Sequence, residues 1–135
     1  MRSEAIRKVI RAYDDPVVRT YCWGRFWILR QRFLDEIGQY LPPRGRVLDL
    51  GCGFGLFSLY YASTHAALAL EGLDRNARRI GMARMAARRL GLSNVRYEVG
   101  DVMDFRGRER FDAAYMLDIV HHIPPEAVRP LLAQV

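Results

Sequence analysis

Four carboxylates stand where short apolar runs end: Asp49 after Val47-Leu48, Asp74 after Leu70-Glu71-Gly72-Leu73, Asp101 after Val99-Gly100, and Asp118 after Tyr115-Met116-Leu117. Asp49 leads into Leu50-Gly51-Cys52-Gly53-Phe54-Gly55, with glycine at alternate positions. Glycine there removes each Cβ that would block a ligand and tolerates the positive φ of a tight strand-to-helix turn, so a bulky molecule can lie against bare backbone. A dinucleotide fingerprint would need its third glycine at position 56, which is Leu56. An acid two residues before the first glycine repels a pyrophosphate and suits a sulfonium or ammonium through charge-assisted hydrogen bonds. The pattern therefore reads as a cradle for a nucleoside bearing positive charge, and Leu56 and Asp49 together weaken the nicotinamide-dependent oxidoreductase reading.

These residues need a scaffold that gathers them. A helix-like amino-terminal stretch and a second helix from about Gly24 to Leu41, stopped by Pro42-Pro43, make an N-terminal helical segment over residues 1–43. Strand and helix patterns then alternate over residues 44–135. Strands are predicted at Arg46 to Leu50, Ala67 to Leu73, Val95 to Val99 and Phe111 to Leu117, and helices at Leu56 to Ser63 and Asn76 to Leu90, with Gly91 as a left-handed stop. Alternation of this kind implies an α/β fold, a Rossmann-like doubly wound parallel sheet. Ligands bind such sheets beyond the carboxyl ends of the strands, where the four acids fall. The bland reading of those acids is that they cap the turns and helices that follow.

The run from Asp49 to Gly55 is an unbroken Asp-x-Gly-x-Gly-x-Gly, and in its order of later acids the chain resembles class I S-adenosylmethionine-dependent methyltransferases over roughly residues 45 to 125. The resemblance implies S-adenosylmethionine as cofactor. Gly51, Cys52, Gly53 and Gly55 would carry its methionine portion and ribose, Asp49 would orient the loop or the ligand's ammonium, and Asp74 with neighbouring Arg75 would hold the ribose. Asp101 would accept from the adenine amino group, Val102 would complete a flat slot, and Asp118 would contact the cofactor's amino group or the substrate. His121 and His122, on the expected substrate-facing turn, are candidate bases, since histidine takes up a proton near neutral pH. Packing beneath the cofactor is their alternative role. The implied activity is methyl transfer to a small-molecule or lipid-like acceptor; the alternative is a non-catalytic cofactor-binding module or half-enzyme completed by a partner. Seven strands are usual in that family and about four are legible here, so an incomplete sheet is expected, its fourth strand an edge that a homodimer or strand-swapped oligomer would cover.

The bulk properties fit one domain. The chain has 135 residues, half of them apolar, which suffices for a single core. No run of about eighteen apolar residues and no apolar signal core appears, so the expected compartment is the cytoplasm. Cys22 and Cys52 lack metal-ligand spacing, so no metal site is expected, and Cys52 reads as a space-filler before a catalytic thiol. The net charge of +6 rests on arginine. Arg75, Arg78, Arg79 and Arg89 gather opposite Ile80, Ala83, Ala87 and Leu90, as in a helix that covers a sheet and turns a solvated face outward. A nucleic-acid footprint is disfavoured because no aromatic residues interleave those arginines. Tyr21, Trp23, Phe26, Trp27 and Phe33 share one helical stretch, expected mainly in the core, with a membrane surface or an apolar substrate pocket as the alternative. Tyr13 and Tyr21 are candidates for a lid over the cofactor.

Overall fold

The computed structural model describes residues 2–104 and 111–117, apart from the side chains of residues 2–3 and 28–31. Two helices come first, α1 (Arg2–Arg11) and α2 (Pro16–Gly38), followed by β1 (Gly45–Leu50), α3 (Leu56–Thr64), β2 (Leu68–Asp74), α4 (Ala77–Arg89), β3 (Val95–Val99), a 3-10 turn at Val102–Asp104, and β4 (Ala113–Tyr115). The four strands are all parallel, in the order β3-β2-β1-β4. Direction therefore reverses at β1. The chain steps outward through β2 and β3, then returns to the other side of β1 for β4, which is the switch point of a doubly wound sheet.

Alternation along β1 serves two faces. Val47 faces the main core with Leu70, Val95 and Tyr97 of the neighbouring strands, joined by α3, by the inner side of α4 and by Val9, Ile10 and Tyr13 of the amino-terminal arm. Leu48 and Leu50 face the opposite side, packed with Val102, Leu73, Phe111 and Met116. The arm thus shares one core with the sheet. In α4 the buried stripe is Ile80, Ala83, Ala86 and Ala87, small side chains that let the helix approach closely. Gly91 ends it at φ 66°, as the stop signal predicts.

Three sequence expectations shift in detail. α2 begins at Pro16 rather than near Gly24, because Asp15 caps it, accepting from the Val17 N–H at 2.8 Å, and proline fits the first helical position. Of the five aromatics in α2, only Phe26 is buried; Trp27 is 82% exposed and Trp23 51%. The inward stripe is Val18, Cys22 and Phe26, spaced four apart, and both tryptophans fall off it. The arginines of α4 keep the exposed face that a helical wheel suggests, yet two of them also make ion pairs. Arg89 forms a two-armed ion pair with Asp14 and donates to the Ala12 carbonyl at 3.1 Å, while Arg78 reaches Asp15 at 3.6 Å. These contacts fasten the elbow between α1 and α2 to α4.

Candidate functional site

The loop between β1 and α3 turns through three left-handed glycines, Gly51 at φ 69°, Gly53 at 58° and Gly55 at 80°. The carboxyl end of β2 holds it in place. Gly51 and Cys52 both donate their N–H to the Leu73 carbonyl, at 2.7 and 3.1 Å, and Gly55 donates back to the Cys52 carbonyl at 2.9 Å. Missing side chains matter differently at two of these positions. A Cβ on Gly55 would lie 2.6 Å from the Tyr97 hydroxyl and 3.0 Å from the Ala83 methyl, whereas one on Gly53 would meet nothing within 4 Å. Gly55 is bare so that the fold can close, and Gly53 is bare toward open space.

Asp74 works as a staple. Its Oδ2 accepts from the Gly53 N–H at 2.9 Å and its Oδ1 from the Asn76 N–H at 2.8 Å. The helix cap proper is Asn76, which accepts from the Arg79 N–H at 3.1 Å. Each Asp74 oxygen keeps a second lone pair for a ligand hydroxyl. The Gly100 N–H donates to the Asp74 carbonyl at 2.9 Å, which ties the end of β3 to the same point. Just beyond, Asp101 accepts from the Met103 N–H at 2.9 Å, and the Val102 side chain is buried against Leu48 and Leu50. Arg75 is exposed beside Asp74.

Asp49 is only 3% exposed. Tyr115 donates its hydroxyl to Asp49 Oδ2 at 3.2 Å. Loss of water dominates: burial pushes the carboxyl up to about 7, the Asp74 charge adds to the rise, and the Tyr115 and Ser58 hydroxyls oppose it. Ser58 further shares a hydrogen bond with the Tyr97 hydroxyl at 2.8 Å. Burial likewise raises the Cys52 thiol far above its ordinary value, helped by Asp49 and Asp74. Its sulfur lies where a Cβ on Gly72 would need room, 2.8 Å away. That is the setting of an inert, space-filling thiol.

Phe54, at the tip of the loop, is gripped from outside. Tyr13 donates its hydroxyl to the Phe54 carbonyl at 2.7 Å, the Tyr13 and Tyr21 rings meet the Phe54 ring edge-on at 6.4 and 5.6 Å, and the Arg79 guanidinium lies over it at 5.2 Å. Asp49, Gly51, Cys52, Gly53, Gly55 and Asp74 are thus assembled at one place, with Asp101 and Val102 joined to it through Gly100. Asp118, His121 and His122 lie outside the described residues. Ser58, Tyr97 and Tyr115 escape a reading by motif. Ser58 carries a weak signal, three residues after Gly55 on the first turn of a helix, while Tyr97 and Tyr115 look like ordinary strand aromatics. Among the described residues no cluster of histidine, cysteine and acidic side chains could hold a metal ion, and no helix is long and apolar enough to cross a membrane.

The sequence profile of the family described as "Methyltransferase domain" matches residues 47–135. The carboxy-S-adenosyl-L-methionine synthase of Campylobacter curvus is 31% identical, over 77% of this chain and 48% of its own length. The ubiquinone biosynthesis O-methyltransferase of Neisseria meningitidis serogroup C is 32% identical, over 70% of this chain and 40% of its own. The chain therefore spans about half the length of these relatives or less. The solved structure of coclaurine N-methyltransferase bound to N-methylheliamine and SAH superposes with a TM-score of 0.69 over 76% of this chain and 30% of that one, at 22% identity, a likeness of fold.

Proposed function

This chain belongs to the methyltransferase-domain family, and from that premise we propose that it binds S-adenosylmethionine at the glycine loop and transfers the methyl group to a small-molecule or lipid-like acceptor. The observation that carries the reading is the pairing of open space over Gly53 with two buried carboxylates, Asp49 and Asp74, at adjacent strand ends. The fit is chemical as well as spatial. A ligand with a sulfonium, an ammonium and two ribose hydroxyls offers positive charge to Asp49 and donors to the remaining lone pairs of Asp74. Asp101 and Val102 would frame the adenine, with Arg75 and Cys52 completing the surround.

When bound, the cofactor supplies an electrophilic methyl group. The protein's part is alignment and exclusion of water. The loop fixes the donor end through its backbone, and His121 or His122 would take the proton of a hydroxyl or amine acceptor. Asp118 would contact cofactor or acceptor from the same turn. Residues 1–43 act as a helical arm on a binding domain of residues 44–135. A homodimer or strand-swapped oligomer that adds a strand beside β4, a cytoplasmic location, and a membrane-surface contact through Trp23 and Trp27 belong to the same reading.

Calorimetric titration with S-adenosylmethionine, followed by assay for S-adenosylhomocysteine with hydroxyl, amine and thiol acceptors, tests it. Binding with product is expected. Binding without product points instead to a non-catalytic module or a half-enzyme that needs a partner, and absence of binding overturns the proposal.

A further inference from the structure

The region matched by the family profile begins at Val47, yet the glycine loop is fastened from outside that region. Tyr13 is 2% exposed, and its hydroxyl spans 41 positions of sequence to donate to the Phe54 carbonyl. This carbonyl lies between Gly53 and Gly55, whose left-handed backbones no side chain of their own stabilises. The other end of Tyr13 is equally constrained. Arg19 donates to the Tyr13 carbonyl at 2.5 Å, and the preceding residue Ala12 is held by Arg89. Hydroxyl and main chain of one residue are therefore pinned to two different parts of the fold.

We propose that Tyr13 is a positioning residue: through the Phe54 carbonyl it sets the Gly53–Gly55 peptides in the conformation that receives the cofactor, which makes the amino-terminal arm part of the binding site. The inference rests on the reading given under "Proposed function". Its physical basis is that a part-buried carbonyl whose one protein donor among the described residues is Tyr13 loses that partner when the donor is removed. Tyr13 touches neither the cofactor nor the reacting atoms in this role. It acts by holding the loop. The Phe54 ring, clasped by Tyr21 and Arg79, adds a second restraint at the same residue.

The test uses the whole chain, Tyr13→Phe, which keeps the ring and removes only the O–H. Tyr40→Phe, on a side chain 82% exposed, serves as control. In hydrogen exchange the amides of Gly53 and Gly55 are expected to exchange about tenfold faster in Tyr13→Phe, with β2 and α4 unchanged, as the loss of one part-buried hydrogen bond predicts. The affinity for S-adenosylmethionine is expected to fall by about tenfold as well. Loop exchange equal to that of wild type overturns the proposal, as does acceleration spread through β2 and α4, which would make the residue merely structural. Faster loop exchange with undiminished affinity also overturns it. If the wild type binds no S-adenosylmethionine, the functional reading has failed, and the exchange comparison still decides whether Tyr13 positions the loop.

Discussion

Tyr115 and Asp49 are direct partners across the switch point of the sheet: they are paired in register between β4 and β1, and the tyrosine donates its hydroxyl to the acid at 3.2 Å. This hydrogen bond joins two parallel strands at the place where the order of strands across the sheet reverses. It also leaves a buried carboxyl that accepts from a hydroxyl, with no cation bonded to it among the described residues.

Stability should therefore depend on pH with an unusual sign. An acid whose folded value is raised from 3.8 to about 7 binds its proton more tightly folded than unfolded, so stability is greatest below pH about 4 as far as this group is concerned and declines as pH rises through about 7. Each pH unit in that window removes at most about 1.4 kcal/mol. Chemical denaturation at pH 5 and pH 8 is expected to show a lower unfolding free energy at pH 8, and Asp49→Asn should flatten the difference. An Asp49→Asn protein with the wild-type slope would place the titration elsewhere.

Binding of a cationic ligand should be linked to that same proton. A positive group beside Asp49 favours the ionised form, so affinity for S-adenosylmethionine is expected to rise with pH up to about 7 and then level, with proton release below that point. Calorimetry at pH 6 in two buffers of different ionisation enthalpy measures the released proton directly. Identical heats in both buffers would exclude the linkage.

Alanine at Gly55 and at Gly53 should separate folding from binding. Gly55→Ala meets the Tyr97 hydroxyl at 2.6 Å in addition to its unfavourable φ, and a loss of about 2 to 4 kcal/mol of stability is expected from overpacking and strain combined. Gly53→Ala has only the left-handed backbone to bear, about 1 to 2 kcal/mol. Its methyl group would enter the open space instead. Thermal unfolding should rank Gly55→Ala as the more damaged, and titration should find Gly53→Ala folded but weak in binding.

Asp74→Ala removes the proposed ligand acceptor and also the staple on Gly53 and Asn76. Affinity for S-adenosylmethionine is expected to fall by at least roughly 1.5 kcal/mol, on the scale of a charged hydrogen bond. Asp74→Asn is the finer probe, since its amide nitrogen must face one of the two N–H donors. Calorimetry on both should leave neither at wild-type affinity; an unchanged value for either would remove Asp74 from the binding site.

Much of this architecture was legible beforehand because it rests on local rules. Alternating apolar runs located the four strands seen among the described residues, the glycines announced a left-handed turn, and Gly91 announced the end of α4. Of the acids at the strand ends, Asp74 is the one that holds the loop, through the Gly53 N–H. What escaped depends on contacts distant in sequence. Nothing near Arg89 tells that Asp14 is its partner, and nothing near Tyr97 shows that its hydroxyl will lie under Gly55. The tryptophans of α2 were misjudged for a related reason. Aromatic composition suggests a core, but only their angular offset from the Val18, Cys22 and Phe26 stripe decides exposure, and that stripe is defined by what packs on it.

The fastening of Asp14 to Arg89 spans 75 positions, with consequences for a chain made from its amino end. When α1 and α2 have emerged, neither Phe54, α3 nor α4 exists yet, so Val9, Ile10, Tyr13 and Phe26 have only the two helices of the arm to pack against. The arm can begin to pack once α3 is made, but its latch waits for the synthesis of β2 and α4. A chain halted before Arg89 would therefore hold the arm against α3 without the ion pair that fastens its elbow.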